Sequence, residues 1–208
     1  MEPAITNNRV LYPQFYQAVD QSDSACFFYP TQTSEQVVIP GQCDTNIPVV
    51  QNFDIAEYAG TWYEIERYDT VSSSCVGTRL TVNEDSISVL NYEVVNGELN
   101  IEEGSASVTS TDGSGRLAVV VPVAGTNDTV TTTLFILATD YESYALTYSC
   151  VNVNSYQRAV RAWKLSRTRT LPSNGNTAIN NLITQRQELH QPYFRQISQS
   201  DDCEEPSS

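Results

Sequence analysis

The chain has 208 residues, with 11 basic against 25 acidic side chains and a formal net charge of −14. That length predicts one domain with a real core, and that charge repels phosphate backbones and anionic bilayers, which excludes nucleic acid and membrane surfaces as leading partners. One lysine, Lys164, and one histidine, His190, further exclude polybasic surfaces, His-rich metal sites and catalysis built on a core histidine.

Residues 1–42 are rich in Gln, Ser, Thr, Asn and Pro, with aromatic islands at Tyr12, Phe15, Tyr16 and Phe27-Phe28-Tyr29. No period emerges there, so an irregular N-terminal extension is expected. The first residues lack the basic and apolar regions of a signal peptide. The longest uncharged apolar run, residues 117–125, is far short of the ~20 residues that a membrane helix needs. The cysteines, Cys26, Cys43, Cys75, Cys150 and Cys203, show no C-x-x-C pair and no histidine at ligand spacing, so no metal site is expected. Their wide spread reads as long-range disulfides in an oxidising compartment. Asn127-Asp128-Thr129 is a glycosylation sequon in a turn-rich stretch. Together these features predict a secreted protein whose signal peptide is absent from this sequence.

From Tyr58 to Ser166 the chain alternates short Val/Ile/Tyr/Thr-rich segments with turn residues. Eight strands are predicted, at about 60–69, 76–83, 86–95, 98–109, 116–124, 131–139, 143–151 and 157–166. Asn96-Gly97 joins the third and fourth as a tight hairpin, and Asp112-Gly113-Ser114-Gly115 follows the fourth. An even meander of this kind suits an all-β, eight-stranded antiparallel up-and-down barrel, which leaves no edge to protect, better than a sandwich. After Arg169 the period becomes helical. Ile179, Leu182, Ile183, Arg186 and Leu189 recur on one face, predicting an amphipathic helix over about 173–190 packed outside the barrel. The domain then runs from 43 to 203, with 204–208 as an acidic tail.

Three segments carry a family resemblance. Asn52-Phe53-Asp54-Ile55-Ala56-Glu57-Tyr58-Ala59-Gly60-Thr61-Trp62-Tyr63 resembles the first lipocalin signature, Thr139-Asp140-Tyr141-Glu142-Ser143-Tyr144 the second, and Ala162-Trp163-Lys164-Leu165-Ser166-Arg167 the third. They occur in order at barrel-compatible spacing. The likeness is strongest to the apolipoprotein D, bilin-binding protein and insecticyanin branch, over residues 41 to 203. It implies barrel closure by Trp62 under Arg167, with Gly60 turning the chain into the first strand, and disulfides Cys43–Cys150 and Cys75–Cys203. Cys26 is left as a free or intermolecular thiol.

The same resemblance implies a secreted carrier that holds a small hydrophobic ligand non-covalently in its cavity: a bilin such as biliverdin, or a sterol, retinoid or fatty acid. No cofactor is required. Two other readings remain open, a lipocalin-type enzyme using cavity carboxylates, and an assembly or storage protein, monomer or homo-oligomer, whose Cys26-bearing extension mediates contacts.

Strand alternation nominates the lining. With Trp62 inward, strict period two brings Glu64, Glu66 and Tyr68 inward as well, unless a bulge intervenes. The ligand-binding set is then Glu64, Tyr68, Val89, Asn91, Val119, Val121, Leu134, Ile136, Tyr148 and Trp163. Lys164 falls outside, which removes a Schiff base. Arg67, Arg79, Arg158 and Arg161 are available for the propionates of a bilin.

Overall fold

The structure is a computed structural model that describes residues 36–68, 73–84, 86–123 and 126–206. Cys26 and the aromatic islands of the extension lie outside the described residues.

Every segment with a two-residue period is a strand. In chain order they are β2 (Gly60–Tyr68), β3 (Ser74–Val82), β4 (Ile87–Val95), β5 (Glu98–Val108), β6 (Arg116–Pro122), β7 (Thr129–Thr139), β8 (Tyr144–Asn152) and β9 (Gln157–Ser166), preceded by a short β1 (Val37–Pro40). Each pairs antiparallel with its successor from β2 onward, and β9 returns to β2. An eight-stranded closed barrel results, the architecture whose interior is just wide enough for side chains or one small ligand. Asn96 and Gly97 both take positive φ, 54° and 84°, the backbone that a two-residue hairpin of this hand requires.

The seam between β9 and β2 is shared. β2 pairs with residues 163–166 of β9, and β1 pairs with residues 157–160. Residues 37–40, expected to be irregular, are therefore part of the sheet. On the other edge of β2, the short β10 (Phe194–Gln196) pairs with Glu66–Tyr68.

Helix α2 spans Ser173–Gln185 and ends before the predicted 190, because Arg186 takes an extended conformation. Leu189, which extended the helical period on paper, is still buried, but from the non-helical chain beyond. α2 packs on the barrel's outside against β8.

Two apolar clusters follow from this layout. The inner one gathers Tyr58, Trp62, Leu80, Ile87, Val89, Leu117, Ile136, Ala145 and Leu165 inside the closed end of the barrel. The outer one gathers Tyr68, Phe135, Leu146, Tyr148, Val160 and Ala162 with Ile179 and Ile183 of α2. Disulfides Cys43–Cys150 and Cys75–Cys203 are both present, tying the entering and leaving chain to the barrel wall. Beyond Cys203 the tail stays engaged: Glu205 accepts from the Tyr63 hydroxyl and pairs with Arg79 and Arg169 at 3.6 and 3.3 Å.

Candidate functional site: the barrel interior

The closed end is built first. Asp54 caps α1 (Ile55–Tyr58), its carboxylate accepting from the N–H groups of Ala56 and Glu57. Gly60, at φ 99°, then swings the chain into β2, and a Cβ there would stand 3.2 Å from Arg167 Nη1. Trp62 is wholly buried and donates its indole N–H to Tyr58 O at 2.9 Å. The Arg167 guanidinium lies 3.7 Å over its ring, a contact worth ~0.5–2 kcal/mol according to desolvation. Arg167 also donates to the carbonyls of Glu57, Tyr58, Thr61 and Tyr141. Burial pushes the Tyr58 hydroxyl well above its ordinary value, with Arg167 acting in the opposite direction.

The loop before β8 supplies the last of these carbonyls. Asp140 there accepts from Ser143 and Tyr144. Burial alone would raise its carboxyl, but these bonds and the Ser143 hydroxyl outweigh it and hold the group below its usual range. All three signature segments thus meet in one hydrogen-bonded plug that seals the barrel floor.

Above the floor, the ladders decide which side chains face inward. β8 and β9 pair without interruption from Tyr144–Ser166 to Asn152–Arg158. Since Ala145 and Leu165 belong to the inner cluster, Thr147, Ser149, Trp163 and Arg161 share that face. The same reasoning on β4 and β6 turns Val89, Asn91 and Glu93 inward, with Val119 and Val121 from across the barrel. Leu134 and Ile136 join them from β7.

Exposure grades along this face. Leu117, Ile136 and Ala145 at the floor are fully buried, whereas Val119, Val121, Leu134 and Trp163 above them face inward yet are only partly covered. Apolar side chains that point into a barrel and remain reachable line an open chamber.

β2 departs from strict alternation. A bulge between Glu64 and Glu66 leaves Ile65 without a partner in the β9 ladder, so that Glu64 lies opposite Leu165, Glu66 opposite Lys164, and Arg67 opposite Trp163. Glu64 and Arg67 therefore face inward, and Glu66 and Tyr68 do not. Arg67, 1% exposed, pairs with Glu64 at 3.1 Å and Glu93 at 3.2 Å and donates to the Ser73 hydroxyl.

Two nominated ligand-binding residues are thereby corrected. Tyr68 lies on the outer face, ring against Phe194 and Tyr193, its hydroxyl accepting the His190 N–H. Tyr148 lies there too, in the cluster under α2. Burial pushes both hydroxyls up to about 12. Lys164 is outside the barrel as expected, yet 0% exposed, with Nζ 2.8 Å from Glu66, 3.0 Å from Asn180 and 4.8 Å from the Phe194 ring centroid.

Residues that period two alone did not single out are Arg67 and Glu93. No local pattern carried the signal: one extra residue between Trp62 and Tyr68, seen only in the strand pairing, inverts every inward choice after it.

Residues 59–201 match the Lipocalin / cytosolic fatty-acid binding protein family. The chain is a lipocalin. Apolipoprotein D of Macaca fascicularis is 38% identical over 152 residues, which is 69% of this chain and 76% of that protein. Insecticyanin-B of Manduca sexta is 25% identical over 158 residues, 74% of this lipocalin and 76% of the relative. Among solved structures, insecticyanin from the tobacco hornworm superposes with a TM-score of 0.72 at 23% identity, covering 81% of this chain and 92% of its own. Apocrustacyanin C1 gives 0.65 at 21%, with 80% and 93% covered. At such identities the structures establish the fold.

None of these relatives is an enzyme, and the family's function is the binding of small hydrophobic ligands. In this chain His190 is exposed outside the barrel and the four described cysteines are paired in disulfides.

Proposed function

We propose that this lipocalin is a secreted carrier that holds a small hydrophobic molecule non-covalently in the chamber above Trp62. The observation that carries the reading is the graded exposure of the inner face. Val119, Val121, Leu134 and Trp163 point inward and stay accessible, so a ligand gains ~25 cal/mol per Å2 of apolar surface that it buries against them. Glu64, held by Arg67, and Asn91 give that wall a polar border that fixes a ligand's orientation.

A bilin such as biliverdin fits this scheme, as does a sterol, retinoid or fatty acid. Two disulfides suit an extracellular protein, and Asn127 is exposed in the β6–β7 turn at the open end, where a glycan would stand clear of the barrel. Tryptophan fluorescence tests the carrier role directly. Titration with biliverdin, progesterone, retinol and a long-chain fatty acid should give saturable quenching with at least one of them. Trp163→Ala should weaken that binding about tenfold or more while the fold persists, on the scale of one lost aromatic contact surface. Unchanged affinity for every ligand that binds removes Trp163 from the site.

A further inference from the structure

Among the described residues two arginines face the barrel interior above the floor, and they are not equivalent. Arg67 is matched by Glu64 and Glu93. Arg161 has no ion pair or hydrogen bond among the described residues, and its Nε is buried without a partner. The arginines at 79 and 158 fall on the outer face, where Arg79 meets Glu205 and Arg158 donates to Gln42 O at 2.6 Å. Of the four arginines that the sequence offers for a ligand's carboxylate, one is both inside and unmatched.

The surroundings of Arg161 favour an anion. It lies directly opposite Ser149 in the β8–β9 ladder, and the Ser149 hydroxyl shares a 2.9 Å hydrogen bond with Thr132 on β7. Both hydroxyls lie on the inner face, able to turn a proton toward an acceptor. The acidic groups stand elsewhere. Glu93 on β4 and Glu102 on β5, which lies opposite Asn91, face inward from the far side of the barrel, and Glu64 is held by Arg67. The interior is therefore polarised, with a free cation on the β8–β9 wall and carboxylates opposite it. Below Arg161 on the same strand face comes Trp163 and then Leu165, so a molecule anchored at the cation extends its apolar part down toward the floor.

Resting on the carrier reading above, we propose that Arg161, with Ser149 and Thr132, forms a subsite for one carboxylate of the ligand. A buried guanidinium N–H without an acceptor is costly, and a carboxylate restores the missing partner as a charge-assisted bond. The anchor takes a single carboxylate, that of a lipid acid or one propionate of a bilin. Among the described residues no second unmatched cation faces the interior, so a second propionate stays at the mouth.

Matched acid and ester probes test this. Wild-type protein is titrated with cis-parinaric acid and its methyl ester by fluorescence, and with biliverdin and its dimethyl ester by absorption. At least one acid should bind about tenfold or more tightly than its ester, the scale of a charge-assisted contact, and which acid does so separates the lipid from the bilin source. Arg161→Gln should abolish that preference by weakening the acid alone, and Arg161→Lys should recover part of it. The ligand-free Arg161→Gln protein should melt no lower than wild type, since it loses a buried Nε that has no partner; a lower melting temperature shows a structural role and overturns the assignment. Equal binding of acids and esters by wild type, or a preference that survives Arg161→Gln, overturns the subsite while leaving carriage intact. Failure of all four probes to bind overturns the subsite, and the carrier reading falls with it when progesterone and retinol fail to bind as well.

Discussion

The two sides of the β8–β9 wall are a single pair of strands in two chemical settings. On the outer side, Leu146, Tyr148, Val160, Ala162 and Lys164 are all fully buried beneath α2 and the segment after it. Even the charge there is matched, by Glu66, Asn180 and Gln191. On the inner side, Trp163 and Arg161 are only partly covered, and Arg161 finds no partner among the described residues. Two outer-side atoms on this wall lack a hydrogen-bond partner, the neutral Tyr148 hydroxyl and Nε of Arg158, whose guanidinium is bonded to Gln42 O through Nη1. The difference teaches how the fold divides its labour: the outer packing holds the barrel together, and the inner surface keeps apolar and cationic groups that the other described residues do not cover.

Substitutions can break that division, and the largest effect should come where the inner face behaves like a core. Trp62→Ala removes the floor and the Arg167 stack, and should cost about 4 kcal/mol by the scale of buried aromatic truncations, read by urea unfolding. Ile179→Ala, 0% exposed on α2, should cost about 3 kcal/mol, within the range for buried aliphatic truncations, and should free the helix from the wall in hydrogen exchange.

Alkaline pH probes the same outer side without a mutation. Tyr68 and Tyr148 ionise at about 12 in the folded chain, above their ordinary value of 10.0. The unfolded chain therefore releases these protons first. Stability should be level below pH 10 and fall as the pH climbs to about 12, by about 2–3 kcal/mol for each group at 1.36 kcal/mol per pKa unit. Unfolding free energies measured at intervals from pH 9 to 12 check the sign, and a flat profile contradicts it. The smallest stability effect should be that of Trp163→Ala, under about 1 kcal/mol because a partly exposed ring leaves little cavity behind. The same substitution should have a large effect on ligand affinity, and that inversion sharpens the contrast between the two sides.

Much of this was readable from the sequence, and the exceptions have physical causes. All eight barrel strands, their order and the external helix followed from turn chemistry and a change of period at Arg169. The closing pair, Trp62 and Arg167, followed from the signatures. β6 and β7 presented their accessible valines and leucines on the expected face. β2 did not, because a bulge at Ile65 costs one residue of register and leaves no mark in composition. β8 failed for another reason. Its inner residues, Ala145, Thr147 and Ser149, are small and polar, while Leu146 and Tyr148 face outward, since a helix and not water covers that side. Period two identifies two faces but cannot say which is inside when both are buried. The matched state of Arg67 and the unmatched state of Arg161 depend on contacts across the barrel, which no local pattern contains.

The burial of Lys164 has a practical consequence. It is the chain's only lysine, and it sits under Asn180 and Phe194 with no exposed surface. Acylating reagents therefore have no lysine amine to modify while α2 and β10 stay docked. The rate at which Lys164 becomes acetylated reports how often that covering lifts from the wall, a built-in footprint for one element carried by the chain's only side-chain amine.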